Sequence, residues 1–350
     1  MTPQITFLLG AGASKSFGLP LTADIFPRIW QKIEDKNFLD QEHRALLAQI
    51  IKCLYPGLKN DTPQDNLPGI TELLSMVDHF IVSNAIPQVK MTVNDLVKVR
   101  GAIELAIIDV IEGEFDVPYD EDDEEGLLYQ EFVGILSSFS KTHKVNIIST
   151  NYDIMIEFGL FHQTYHADEI AFRRDVDFGI RWRHPGNGEI INPPAAPKFS
   201  VYKLHGSTNW LRCDICSQTY INVYGSIYEQ IKKKEPDLYN TCHCGHAILS
   251  SVIVSPSLER EIVDPNLGYI WNAALESLRT SGKWVIIGYS MPPEDLNIRS
   301  IVTRALNSHD QTPDITVVQW KNDSEARFRN MLGNLKFISG GMKAYITSVR

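Results

Sequence analysis

Ile5-Thr6-Phe7-Leu8-Leu9 followed by Gly10-Ala11-Gly12-Ala13-Ser14 is the stretch that decides the fold. A short, nearly continuous apolar run ending at glycine reads as a strand covered on both faces, as in parallel sheets flanked by helices. The turn that follows opens a helix. Its two glycines let backbone N–H groups come close to a pyrophosphate, whose charge the helix N-terminus favours. Two more segments repeat the design. Val145 to Ile148 leads into Ser149-Thr150-Asn151-Tyr152-Asp153, and Val201 to Leu204 leads into His205-Gly206. An amide with a carboxylate, and then a lone histidine, are thereby carried to strand C-termini, where ligands sit in open α/β sheets. In this order the three pieces describe one dinucleotide pocket.

Two familiar versions of the first motif do not fit. A P-loop needs glycine before its Lys-Ser, and Ser14 precedes Lys15-Ser16 here. The dehydrogenase fingerprint needs a third glycine where Lys15 stands. A tight βα turn without a ligand is the bland alternative. Further strands are expected at Val252 to Val254, Trp284 to Gly288, Ile315 to Gln319 and Ala344 to Val349. Helical spacing marks Thr22 to Ile33, Gln41 to Leu54, Val93 to Ile111, Leu127 to Phe139 and Pro265 to Leu278. The fold class expected is α/β: a Rossmann-like parallel sheet with helices on both faces. It spans 1–350, with a helical insertion at 24–142 and a small four-cysteine zinc-ribbon module at 212–250. The acidic run Asp120 to Glu125 inside the insertion reads as a solvated loop.

Four of the five cysteines cluster as Cys213-x-x-Cys216 and Cys242-x-Cys244. Two close pairs let two turns each give two thiolates to one tetrahedral Zn²⁺. His243 and His246 are alternative ligands for one position. A closed set of four thiolates has no open coordination position, so such a metal serves folding rather than catalysis. Cys53 lies on an apolar helix face and reads as core.

At this point the chain resembles the sirtuin superfamily. The features that carry the resemblance run in family order. They are Gly10 to Ser14, Thr150-Asn151-Tyr152-Asp153, His205-Gly206, the four cysteines, and Gly288-Tyr289-Ser290. Asn151-Tyr152-Asp153, Lys203 to Ser207 and Gly288 to Pro292 look most like prokaryotic sirtuin-like proteins of anti-phage defence, many of which hydrolyse NAD. The resemblance implies catalytic roles for Asn151 and His205. It implies cofactor contacts from Gly10, Ala11, Gly12, Ser14, Thr150, Asp153, Gly288, Tyr289, Ser290 and Asn322. Asp153 reads either as a ribose ligand or, with slight preference, as a cap for the next helix. Asp295 reads as a cap or a cofactor contact. The chain departs from deacylases where the family's Asp and Arg near nicotinamide become Leu21 and Asp24. It departs again where Val252 to Ser257 replaces the peptide-docking strand.

The bond at issue joins nicotinamide to the ribose C1′. Nicotinamide leaves as a neutral group, so the demand is a stabilised oxocarbenium ion and a placed nucleophile. Asn151 offers one acceptor and two donors for ribose hydroxyls or water. His205 is a base of near-neutral titration.

The leading expectation is therefore an NAD⁺ glycohydrolase with NAD as substrate and structural Zn²⁺. The resemblance implies abortive-infection defence under the control of a homo-oligomer or of an ATPase or translocase partner. The competing readings are an NAD-dependent deacylase or ADP-ribosyltransferase, and a non-catalytic sensor of NAD or ADP-ribose. The formal net charge of −10 over 350 residues argues against broad nucleic-acid binding. No apolar run reaches the roughly 18 residues of a membrane span. With no secretion signal visible, a cytoplasmic location is expected.

Overall fold

The computed structural model describes residues 2–85, 87, 91–113, 123–225, 227, 239–245, 248–254, 265–292 and 295–350. Residues 120–122 of the acidic run, His246 and residues 255–257 lie outside them. Seven strands form the main sheet. From one edge they run β12 (Lys336–Ser339), β11 (Asp314–Gln319), β10 (Lys283–Ile287), β1 (Gln4–Leu9), β2 (Lys144–Ser149), β6 (Phe199–Lys203) and β3 (Val176–Asp177). Every pairing is parallel. The chain leaves β1 toward β2 and β6 and later returns to the other side of β1 with β10, β11 and β12. That is the strand order of doubly wound, Rossmann-like sheets, and its switch point lies between β1 and β10.

Alternation along β1 shows why helices flank both faces. Thr6 Oγ1 donates to the carbonyl of Ser277 in α9 (Pro265–Thr280). Its neighbour Phe7 packs edge-on against Phe132 of α6 (Glu124–Phe139) and Tyr345 of α12 (Gly341–Val349). Successive strand residues point to opposite faces, so one strand serves both layers. α10 (Leu296–Leu306) and α11 (Glu325–Leu332) link the last three strands.

Between β1 and β2 come α1 (Ala11–Lys15), α2 (Thr22–Lys32), α3 (Gln41–Leu54), α4 (Ile70–Val82), α5 (Val93–Gly113) and α6. Helices α2 to α5 close a core around Phe26, Leu47, Leu73 and Ile103. The α6 helix instead joins the core of the main sheet. After β2 come α7 (Met155–Gly159) and α8 (Glu169–Asp175).

Two expectations need correction. Ala344 to Val349 is not a strand but most of α12. Met342, Tyr345 and Ile346 are buried while Lys343, Thr347 and Ser348 are exposed, a helical period that outweighs the β propensity of the segment. Val252 to Val254 does not join the parallel sheet. Its residues belong to or adjoin β9 (Ser250–Ile253), which pairs antiparallel with β7 (Gly206–Arg212). The cysteine module is part of a second, five-stranded sheet: β5 (Ile190–Ile191), β4 (Trp182–Arg183), β8 (Thr219–Ile221), β7 and β9.

Candidate functional site

The C-terminal edge of the parallel sheet frames a cavity of about 670 Å³, a size suited to a small-molecule ligand. Four strand ends contribute: Ala11 and Gly12 after β1, Thr150 and Tyr152 after β2, His205 after β6, and Gly288 to Ser290 after β10. Gln319, Trp320, Lys321 and Asp323 extend it past β11. Leu21 to Ala23, at the start of α2, and Thr71 of α4 also line it. A smaller space of about 40 Å³ adjoins it and is lined by Ser14, Asn151 and Asp153 with Leu19, Pro20, Ile25 and Ile111.

The glycines of the first turn serve chiefly to let two strand ends meet. The Gly12 amide donates to the Gly288 carbonyl at 2.9 Å, and the Gly10 amide to the Ile287 carbonyl at 3.0 Å. A Cβ on Gly12 would lie 2.9 Å from the Gly288 backbone, and one on Gly288 would lie 2.1 Å from the Ala13 nitrogen. These two amides are thus already engaged, whereas the sequence suggested that they would face a pyrophosphate.

Asn151 and Asp153 are buried and joined through Ser14. Asn151 Nδ2 donates to Ser14 Oγ at 2.7 Å and to the Gly10 carbonyl at 3.0 Å. Ser14 Oγ donates in turn to Asp153 Oδ2 at 2.7 Å. The other oxygen of Asp153 accepts from the Met155 amide at 3.1 Å and caps the first turn of α7. The carboxylate therefore acts as a cap and also fixes the serine.

His205 is buried, and its Nδ1 lies 3.1 Å from the Thr150 carbonyl. A carbonyl can only accept, so Nδ1 carries the proton and Nε2 is the basic nitrogen of the neutral ring. Gly206 follows with φ +78°, and a Cβ there would stand 1.8 Å from the Val252 carbonyl. Only glycine lets the chain leave the main sheet directly after the histidine and enter β7.

Tyr289 and Asp295 close the far side. The tyrosine hydroxyl donates to Asp295 Oδ2 at 2.8 Å, and the Tyr289 carbonyl accepts from Gln319 Nε2 at 2.8 Å. Asp295 occupies the N-cap position of α10 without a side-chain cap bond, and it lines the cavity. Asp24 accepts from the Leu21 amide and pairs with Lys15, so its carboxylate serves the start of α2. Asn322 is exposed and outside both cavity linings, although its neighbours Lys321 and Asp323 line the larger one.

Trp320 on the cavity rim and Glu157 behind the site are residues that the sequence did not single out, and Tyr152 and Lys203 stood out only as parts of motifs. Lys203 is a charge in the apolar run Val201 to Leu204, and that oddity could have marked it. Its Nζ donates to the Asp153 carbonyl and lies 3.6 Å from Glu157 Oε1. Burial pushes the Glu157 carboxyl above its ordinary value, and the Lys203 charge opposes that rise.

The four sulfurs of Cys213, Cys216, Cys242 and Cys244 lie within 4.8 Å of one another. Cys213 and Cys244 are 3.7 Å apart, and Cys216 and Cys242 are 3.5 Å apart. Tetrahedral zinc with Zn–S bonds of about 2.3 Å needs sulfurs about 3.8 Å apart, so the donor set fits the ion. The centre joins the end of β7 to the loop before β9, and none of its cysteines lines the cavity.

The chain was compared with protein-family models and with curated proteins, and nothing matched.

Proposed function

We propose that the cavity binds NAD⁺ and that the chain hydrolyses it to nicotinamide and ADP-ribose. One observation carries this reading. Asn151 and His205 come from different strands, yet both are fixed on one loop beside the Gly12–Gly288 junction at the switch point of the sheet. A dinucleotide laid across that crevice has its pyrophosphate near the first turn and a ribose near the pair.

In the reaction, the water oxygen bonds to C1′ as the C1′–nicotinamide bond breaks. The bond pair leaves with nicotinamide, and a water proton passes to His205 Nε2. Both amide hydrogens of Asn151 are donated to Ser14 and the Gly10 carbonyl, which hold the group in one setting, so Asn151 orients a ribose hydroxyl or the water by accepting through Oδ1. Zinc bound by the four cysteines would stabilise the second sheet and would take no part in the chemistry. The resemblance to sirtuin-like defence proteins adds the expectation that NAD depletion is the biological purpose, with activity held back by assembly or by a partner.

The test is nicotinamide release by the purified chain with NAD⁺ and no acyl peptide, compared with folded His205→Ala and Asn151→Ala proteins. Release by the parent and its loss in both variants is expected. Release that needs an acyl-lysine peptide would make the chain a deacylase. Binding of ADP-ribose without turnover would make it a sensor.

A further inference from the structure

Lys203 and Glu157 form the most deeply buried pair of opposite charges among the described residues, with side chains 1% and 3% exposed. Neither lines either of the two cavities described above. Taking two ionisable groups out of water is costly, and a packed apolar pair often serves stability better. Stability alone therefore does not account for them.

Their surroundings suggest what they do. The segment from Lys203 to Thr208 grips the loop from Thr150 to Asp153 by its carbonyls. His205 Nδ1 takes the Thr150 carbonyl at 3.1 Å. The Thr208 amide takes the Tyr152 carbonyl at 2.9 Å. Lys203 Nζ takes the Asp153 carbonyl. Ser207 Oγ lies 3.2 Å from both the Tyr152 carbonyl and Glu157 Oε1, and its single proton serves one of them at a time. Three of the four peptide planes in the loop are thereby set from below, and the remaining residue is Asn151, whose side chain reaches Gly10 and Ser14. A strand-end turn has soft dihedrals, and without these anchors the Asn151 amide and the His205 ring would sample several settings.

We propose that Lys203, with Glu157 as its counter-ion, is a positioning residue that fixes the Thr150–Asp153 loop and so the relative placement of Asn151 and His205. The inference rests on the reading of those two residues as the NAD-cleaving pair. Glu157 lies 3.6 Å from the Lys203 nitrogen and offsets part of the cost of burying that group against a backbone carbonyl.

The test uses the full chain with two variants. Lys203→Met/Glu157→Met replaces the pair by apolar groups of similar length. Glu157→Gln keeps the shape and the Ser207 contact but removes the counter-charge. Both are compared with the parent for nicotinamide release, ADP-ribose affinity, thermal midpoint and hydrogen exchange of the Asn151 to Asp153 amides. The double variant is expected to fold and to bind ADP-ribose within about threefold of the parent. Its kcat should fall by about 10²-fold, the loss expected when reacting groups shift by about 1 Å. Amide exchange should quicken in that loop alone. Glu157→Gln should fall in the same direction, and it decides the matter if the double variant does not fold. Parent-like kcat in a folded variant overturns the proposal, as does unchanged exchange in the loop. A parent that releases no nicotinamide, together with a loosened loop in the variants, would overturn the NAD-cleaving reading and leave the positioning role standing.

Discussion

Gly12 and Gly288, 276 positions apart, touch backbone to backbone: the amide of one donates to the carbonyl of the other at 2.9 Å, with no room for a side chain on either. The contact ties the first βα turn to the end of β10 at the point where the sheet reverses its strand order. It also gives the two glycines a reason to be present that does not depend on any ligand.

Gly288→Ala should destabilise the chain by about 2 kcal/mol or more, since the residue has φ +63° and its Cβ would strike the Ala13 nitrogen. Gly134→Ala should do the opposite. Gly134 lies exposed in α6, and a methyl group there would meet nothing within 4 Å, so alanine should add about 0.5–1 kcal/mol. Chemical denaturation of the two variants beside the parent checks both signs, and a stable Gly288→Ala protein would mean the junction is looser than described.

Asp153→Asn should separate the two duties of that carboxylate. The amide oxygen can still cap the Met155 amide, but the NH₂ faces Ser14 Oγ, which already accepts from Asn151. Stability should therefore fall by no more than about 1 kcal/mol. Turnover should fall at least tenfold as the Ser14 hydroxyl loses its acceptor. Equal loss of both, read from a melt and a rate on the same sample, would show that the network matters only for folding.

Metal analysis should find one zinc per chain, and chelation should lower the melting temperature. Cys213→Ser, whose sulfur is buried, should lose the metal and the second sheet together. The chemistry should be untouched in any protein that stays folded, because no cysteine of the centre lines the cavity. A chelated protein with an unchanged melt but no turnover would instead assign the ion a catalytic part.

Asp175 gives a pH test. Hydrogen bonding to Arg174 and then to Lys198 holds its carboxyl below the ordinary value of 3.8, against the opposing effect of burial. A depressed acid stabilises the fold above its unfolded pKa and loses that contribution as pH falls through its folded one. Asp175→Asn should therefore be less stable than the parent at neutral pH, with the gap closing below about pH 4. Urea midpoints of both proteins at several pH values will show it; a gap constant down to low pH would contradict the ion-pair origin.

Trp320 is half exposed on the rim of the cavity, and its indole nitrogen is tied to the Gly12 carbonyl at 3.3 Å. A base stacked on such a ring typically contributes about 1–3 kcal/mol. Trp320→Ala should weaken ADP-ribose binding by about tenfold or more. Calorimetric titration measures this, and equal affinity in the variant would place the base elsewhere.

Local pattern was enough to read much of this chain. Strands β1, β2, β6, β10 and β11 stand out because each is a short apolar run, and α3 begins and ends where its spacing says. The same test applied to Ile70, Leu73, Leu74 and Val77 would have found α4. Ala344 to Val349 misled because its β-branched residues suit a strand, while its role as a cover for the sheet made it a helix. The paired Cys-x-x-Cys and Cys-x-Cys were legible as one centre because the pairs are short-range and chemically distinctive.

By itself the sequence determined what repeats over a few residues: the parallel strands, the helices between them, the glycine turn, the cysteine pairs and the order of the motifs. Tertiary structure alone decided which distant groups meet. It put Gly12 against Gly288, His205 under the Thr150 carbonyl, and Lys203 beside Glu157 behind the Asn151 loop. The physical reason is range. Side-chain periodicity follows from backbone geometry within one element, whereas these contacts depend on how strands are ordered and how far apart in the chain their ends fall.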